Sequence, residues 1–151
     1  MLHLIHQAIF GAIAAVGFGV LFNFGPRALI GCALAGALAL FVRTLGQDAG
    51  WSLEAASFSA AVLTSCAVRL LREKLGAAGN AMALAGCIPM VPGAFMSQAI
   101  LGLFAVTAPN PENEVATIVL ALEYMLRVIF TLGAIGAGLA IPMHLLKSKD
   151  F

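Results

Sequence analysis

Two prolines and a glycine interrupt a long apolar stretch near the middle of this chain, and their spacing suggests a site for chemistry. Pro89 and Pro92 each lack an N–H and clash with the carbonyl four residues earlier, so a helix must break there. Gly93 adds backbone freedom, and a second half-helix can begin near Ala94. Inside a membrane, the amide end of such a break can hold a carboxylate, and its freed carbonyls can hold a cation.

The candidate substrate-binding residues are therefore those at the break and in the first turn after it. They are Pro89, Pro92, Gly93, Ala94, Phe95, Ser97 and Gln98. The alternative is a kink that serves packing alone, since prolines also occur in membrane helices for that reason. Two prolines followed by glycine leave the two interpretations evenly balanced.

Glu123 and Arg127 form a second constellation, because residues four apart share one face of a helix and can pair. Arg127 could be a counter-ion for a substrate and Glu123 a proton carrier. However, Arg127 lies about 27 Å along a helix before Leu145, near the opposite interface. A possible ion pair at the interface is the interpretation that depth favours.

The sequence contains no motif that indicates a metal site, a cofactor site or an enzyme active site. His3 and His6 have no third ligand nearby, and Cys32, Cys66 and Cys87 are isolated within apolar stretches. No nucleotide-binding loop, nucleophile elbow or zinc-protease motif occurs. We therefore expect no metal, no cofactor, no nucleic-acid partner and no enzyme activity, and we expect the cysteines to pack as small apolar residues.

The elements that position these residues must lie in a lipid bilayer. The chain has 151 residues, of which 62% are hydrophobic and 10% charged, and its mean hydropathy is +1.02. A soluble domain carries about 25% charged residues. The apolar stretches are continuous rather than alternating, which indicates transmembrane helices instead of a β-barrel.

The fold that we predict is all-α, a single polytopic transmembrane domain over residues 1–151 with about five transmembrane helices. The spans are at about 3–24, 28–45, 52–69, 77–107 and 124–145, the fourth broken at Pro89–Gly93. No Lys or Arg precedes Arg27, so the first span is expected to be a retained helix rather than a secretory signal. Five spans leave little of the 151 residues for a soluble domain.

Local signals refine these helices. Ser52 is a candidate N-cap for the third span, after Trp51 at the membrane interface. Small residues spaced four apart predict close helix contacts. They are Gly11, Ala15 and Gly19 in the first span and Ala134 and Gly138 in the last.

The distribution of positive charge predicts the orientation. With five crossings, one face carries six Lys and Arg residues, namely Arg27, Arg69, Arg72, Lys74, Lys147 and Lys149. The other face has Arg43, while Arg127 lies within the last apolar region. The positive-inside rule then places the N-terminus outside the cytoplasm and the C-terminus inside it, in a cell inner membrane.

Three segments also resemble the small membrane module of the threonine/serine exporter family. They are residues 17–23 (GFGVLFN), 26–29 (PRAL) and 88–93 (IPMVPG), the last being the most specific. In that family the module is either half of a long chain or a separate small subunit, similar to the small partner of two-component succinate exporters. The resemblance implies a larger membrane partner with a hydrolase-like cytoplasmic region, and export of a small carboxylate.

The leading hypothesis is thus the small subunit of a secondary exporter of succinate-like dicarboxylates or of threonine and serine. A small homo-oligomeric channel lined by the broken helix is the alternative from another class. A structural membrane subunit without substrate contact is the third possibility.

Overall fold

The computed structural model describes residues 2–70, 79–106 and 114–147, and every element in these ranges is helical. The helices are α1 (Leu2–Leu21), α2 (Pro26–Asp48), α3 (Leu53–Leu70), α4 (Gly79–Cys87), a 3-10 helix (Ile88–Met90), α5 (Gly93–Val106) and α6 (Glu114–Lys147). Four of them are long and apolar enough to cross a bilayer, and the interrupted pair Gly79–Met90 and Gly93–Ala105 is a fifth candidate when counted as one span. The predicted all-α, multi-pass membrane fold is confirmed.

The turn between α1 and α2 follows from the residues that the sequence marks as a helix breaker. Asn23 has a φ of 58° in the left-handed region, which asparagine tolerates better than most residues. The Phe24 amide donates to the Gly19 carbonyl at 2.9 Å and the Asn23 amide to the Val20 carbonyl at 2.9 Å, as in a Schellman motif. Pro26 then begins α2, where its missing N–H leaves no helix hydrogen bond unmade.

Ser52 caps α3 as predicted. Its Oγ accepts a hydrogen bond from the Ala55 amide at 3.2 Å, which satisfies one of the four amides that a helix start leaves unpaired. Glu54 lies in the first turn, where a negative charge complements the helix dipole. Trp51 is exposed just before it.

The helices fall into two compact units. The first comprises Met1–Met90 and Ala134–Phe151, and the second comprises Val91–Gly133. The first unit contains both clusters of buried apolar side chains, which include Ala15, Cys32 and Met82 in one and Ala39, Cys87 and Met90 in the other. Cys32 and Cys87 thus pack as small core residues, as predicted.

Close backbone contacts between small residues organise the first unit. Gly11, Ala15 and Gly19 are all buried on one face of α1, which confirms the predicted stripe. Gly11 and Gly36 meet so closely that a methyl group on Gly36 would lie 2.5 Å from the Ala15 Cβ and would strike the Gly11 carbonyl. Real side chains do not approach this closely, so α1 and α2 can pack in this way only with glycine at both positions.

A second close contact, next to the contact between Gly11 and Gly36, joins α4 to α2. A methyl group on Gly86 would lie 2.5 Å from the Ala35 Cβ and 3.0 Å from the Gly36 nitrogen. The end of α6 packs similarly against α3, because a methyl group on Gly138 would lie 2.7 Å from the Phe58 carbonyl oxygen. Without a hydrophobic driving force between helices in lipid, such short distances supply the packing energy.

These contacts predict that Gly36→Ala lowers the thermal unfolding midpoint of the purified protein in detergent. Overpacking of a close-packed site typically costs about 1–3 kcal/mol, because the helices must move apart. Gly17→Ala is the matched control, since Gly17 is exposed with no atom within 4 Å of an added methyl group. Its midpoint should stay or rise, because alanine is the better helix former. Equal midpoints for the two variants would contradict the glycine contact.

Candidate substrate site at the helix break

The predicted break is present between α4 and α5. The α-helix ends at Cys87, Ile88–Met90 form one 3-10 turn, and α5 begins at Gly93. Pro89 and Pro92 have no N–H, so they cannot donate to the carbonyls of Ala85 and Ile88 as helix geometry would require. The two prolines therefore account for the position of the break.

The start of α5 provides unpaired backbone donors. The Gly93 amide donates to the Val91 carbonyl at 2.8 Å, and the Met96 amide donates to the Pro92 carbonyl at 3.1 Å. Among the described residues, the amides of Ala94 and Phe95 have no backbone acceptor. The Gly93 amide is therefore not one of the free donors at this helix start.

Gly93 itself does not use the conformational freedom of glycine. Its φ lies outside the left-handed region, where the described glycines include only Gly50, at 85°. A methyl group at Gly93 would meet no atom within 4 Å. The expectation that the break needs a flexible residue here is wrong, because the two prolines already end the hydrogen-bond ladder and Gly93 serves as the first residue of a regular helix.

Ser97 and Gln98 lie one turn into α5 and are both exposed. The Ser97 hydroxyl donates to the Ala94 carbonyl at 2.9 Å, which leaves its oxygen as an acceptor. Gln98 lines a shallow cavity between α5 and α6 together with Tyr124 and Ala121. Both side chains are thus accessible within their unit.

The predicted pair of Glu123 and Arg127 forms on α6. The Arg127 Nη2 and Nε donate to the same carboxylate oxygen at 3.0 and 3.1 Å, and both side chains are about half exposed. The Phe95 ring stacks on Tyr124 with centroids 5.7 Å apart, and the Arg127 guanidinium lies 5.9 Å from the Phe95 centroid. An aromatic ring from the start of α5 therefore contacts two side chains of α6.

The break has one further contact that the sequence analysis missed. The Arg43 Nη1 of α2 donates to the Met90 carbonyl at 2.7 Å. In an uninterrupted helix this carbonyl would accept from the amide four residues later, whereas here a guanidinium from a neighbouring helix satisfies it. The Met90 side chain is fully buried at the same point.

Arg43 also carries a donor that lacks a partner. Its Nε is buried and has no acceptor among the described residues. An unpaired buried donor costs about 1–3 kcal/mol. The predicted span 28–45 ends two residues after Arg43, whereas α2 continues to Asp48, five residues or about 8 Å beyond Arg43. The sequence does contain a signal for a special role of Arg43, because an ionisable residue inside a membrane helix is often functional.

The predicted site residues belong to different units. Pro89 lies in the first unit with Arg43 and Met90, whereas Pro92, Gly93, Ala94, Phe95, Ser97 and Gln98 lie in the second. Within the described ranges, no three His, Cys, Asp or Glu side chains come together as metal ligands would.

Comparison with known proteins identifies a family and a relative. The profile of the family described as "Threonine/Serine exporter, ThrE" matches residues 7–145. An uncharacterised protein of Haemophilus influenzae is 32% identical over 142 residues, which cover 94% of this chain and 47% of the relative. The chain thus spans about half the length of this relative. No solved structure matches.

Proposed function

This chain belongs to the threonine/serine exporter family, and we propose that it is the small membrane module of a secondary exporter of small carboxylates. Succinate-like dicarboxylates and the amino acids threonine and serine are the substrate classes. The observation that carries the proposal is the break between α4 and α5, because a membrane helix leaves backbone groups unpaired only where protein or a watery cavity receives them. Many secondary transporters bind substrates at such breaks.

The first turn of α5 supports a role in binding a carboxylate. The amides of Ala94 and Phe95 are the unpaired donors, and the positive end of the dipole of a 14-residue helix adds to them. Ser97 and Gln98 are exposed one turn further on and add polar contacts. Pro89, Pro92 and Gly93 shape this site by ending one helix and starting the next.

A larger partner is the second part of the proposal. The segment Val91–Gly133 buries few side chains, and those that are buried in its described part are Pro92, Ala99, Ala121 and Thr131. The relative from Haemophilus influenzae has about as much additional chain as the matched part. Because alternating access needs two bundles that move against each other, we assign the second bundle to a larger membrane subunit with a hydrolase-like cytoplasmic region.

The proposed location is the inner membrane, with the start of α1 outside the cytoplasm. The charges that predict this orientation include Arg27 and Arg69, while Arg72, Lys74 and Lys149 lie outside the described residues. By the same argument, the end of α2 lies on the outer face of the membrane and the end of α6 lies on the cytoplasmic face.

Cysteine labelling tests this orientation on exposed positions at the two ends of α2. In a background without Cys32, Cys66 and Cys87, Ala49→Cys should react with a membrane-impermeant maleimide in intact cells. Gly25→Cys should react only after permeabilisation, because the Arg27 side of α2 faces the cytoplasm. Both residues are exposed, so accessibility within the protein does not limit the reaction. The opposite labelling pattern would reverse the orientation.

Transport by purified components tests the function. Vesicles that contain this chain and its larger partner should take up labelled succinate, threonine or serine by counterflow, and vesicles with either component alone should not. A neighbouring gene for a larger membrane protein with a hydrolase-like region, where one is found, supplies the candidate partner. Robust transport by this chain alone would instead favour the homo-oligomeric channel. No transport of these substrates by the pair would reject the exporter proposal.

A variant that restores the helix separates a substrate site from a packing kink. Pro89→Ala with Pro92→Ala supplies two N–H groups and lets the hydrogen-bond ladder close. We expect this variant to unfold at the same temperature as the wild type or higher, and to lose transport at least tenfold. A kink that serves packing alone predicts lower stability before any loss of transport. Full transport by a stable double variant would remove the break from the substrate site.

A further inference from the structure

We infer that Arg43 is the cationic centre of a second carboxylate-binding site, in a polar cavity between the start of α1 and the end of α2. The inference rests on the proposed function, which supplies the class of ligand, but it places the ligand against residues that the break hypothesis did not include. The cavity lies wholly within the first unit.

The lining of this cavity suits a small anion. Arg43, His3, Gln7 and Gln47 contribute polar side chains and Pro89 contributes the edge of the break, and none of the described residues that line the cavity is acidic. His3 and Gln47 are exposed, so the cavity opens at the surface where α1 begins and α2 ends. Its volume of about 230 Å³ equals that of about eight water molecules, which suits a metabolite of a few carbons rather than a drug-sized ligand.

Arg43 retains the capacity to bind a carboxylate. A guanidinium presents five N–H donors in a planar fork, and one of them is used by the Met90 carbonyl at 2.7 Å. Its buried Nε has no acceptor among the described residues. Because Arg43 lines the cavity, a carboxylate there can accept charge-assisted hydrogen bonds from the remaining donors of the guanidinium, which is a pairing that arginine forms well.

A purely structural arginine would not explain the whole arrangement. Capping the Met90 carbonyl requires a single donor and no contribution from α1. Yet His3 and Gln7, which share one face of α1 at a spacing of four residues, line the same cavity. The guanidinium donates to the Met90 carbonyl through Nη1 and also lines the cavity, so a bound carboxylate would share the same cation with the carbonyl of the break.

Binding to the purified chain in detergent tests the site without transport. Isothermal titration with sodium succinate and with threonine, against sodium chloride as the blank, should give saturable binding of at least one of them. Arg43→Gln should raise the Kd about tenfold to a hundredfold, the range for losing hydrogen bonds to a charged group. Arg27→Gln is the matched control, because Arg27 is an exposed arginine at the other end of α2 and should leave the Kd unchanged.

A second variant separates binding from support of the helix break. Gln7→Leu leaves the contact between Arg43 and Met90 in place. If Arg43 only supports the helix break, this variant should not change the Kd. If the cavity binds the carboxylate, the Kd should rise several-fold while the unfolding midpoint stays unchanged. Wild-type affinity in both Arg43→Gln and Gln7→Leu, or no saturable binding to the wild-type chain, would overturn the inference.

The transport assay distinguishes this inference from the proposed function. Transport by the complex that Arg43→Gln leaves unchanged would reject the Arg43 site while the exporter stands. Saturable binding that depends on Arg43, in a complex that transports none of the three substrates, would support the site while the exporter proposal fails.

Discussion

The close approach of three helix backbones at Gly11, Gly36 and Gly86 is the constraint on which the first unit depends. Lipid solvates apolar side chains as well as other helices do, so α1, α2 and α4 gain from contact only where their atoms meet at short distance. Glycine at these positions permits that distance. Because Gly86 fixes α4 against the middle of α2, the turn that follows α4 reaches Arg43 near the end of α2.

The helix break is stabilised by a hydrogen bond from a distant residue, Arg43, in addition to the apolar packing of the Met90 side chain. Two prolines remove donors, and the 3-10 turn and the Arg43 guanidinium replace part of what a continuous helix would supply. The compensation is incomplete, since the Arg43 Nε and the amides of Ala94 and Phe95 remain without acceptors in the described part of the chain. Unsatisfied donors that a ligand can reach are the positions where an anionic ligand gains most from a hydrogen bond.

Much of the architecture could be predicted because it depends on local sequence. Composition determines the membrane class, apolar length determines the spans, and Ser52 and the small-residue stripe of α1 follow from capping and periodicity. The bond between Arg43 and Met90 could not be predicted, because 47 residues separate the two and no periodic pattern encodes which helices pack together. The expectation that Gly93 supplies flexibility was wrong. A glycine beside prolines is typical of a hinge, whereas here Gly93 begins a regular helix.

The position of Gly36 has a consequence for how the first unit can vary. Gly36 takes part in two close contacts at once, because a methyl group there would strike the Gly11 carbonyl of α1, and its nitrogen lies 3.0 Å from the place that a methyl group on Gly86 of α4 would occupy. A larger residue at Gly36 would therefore push α2 away from α1, and a larger residue at Gly86 would push the same stretch of α2 away from α4. The three helices are thus coupled through one residue, and a change that relieves one contact must leave the other undisturbed.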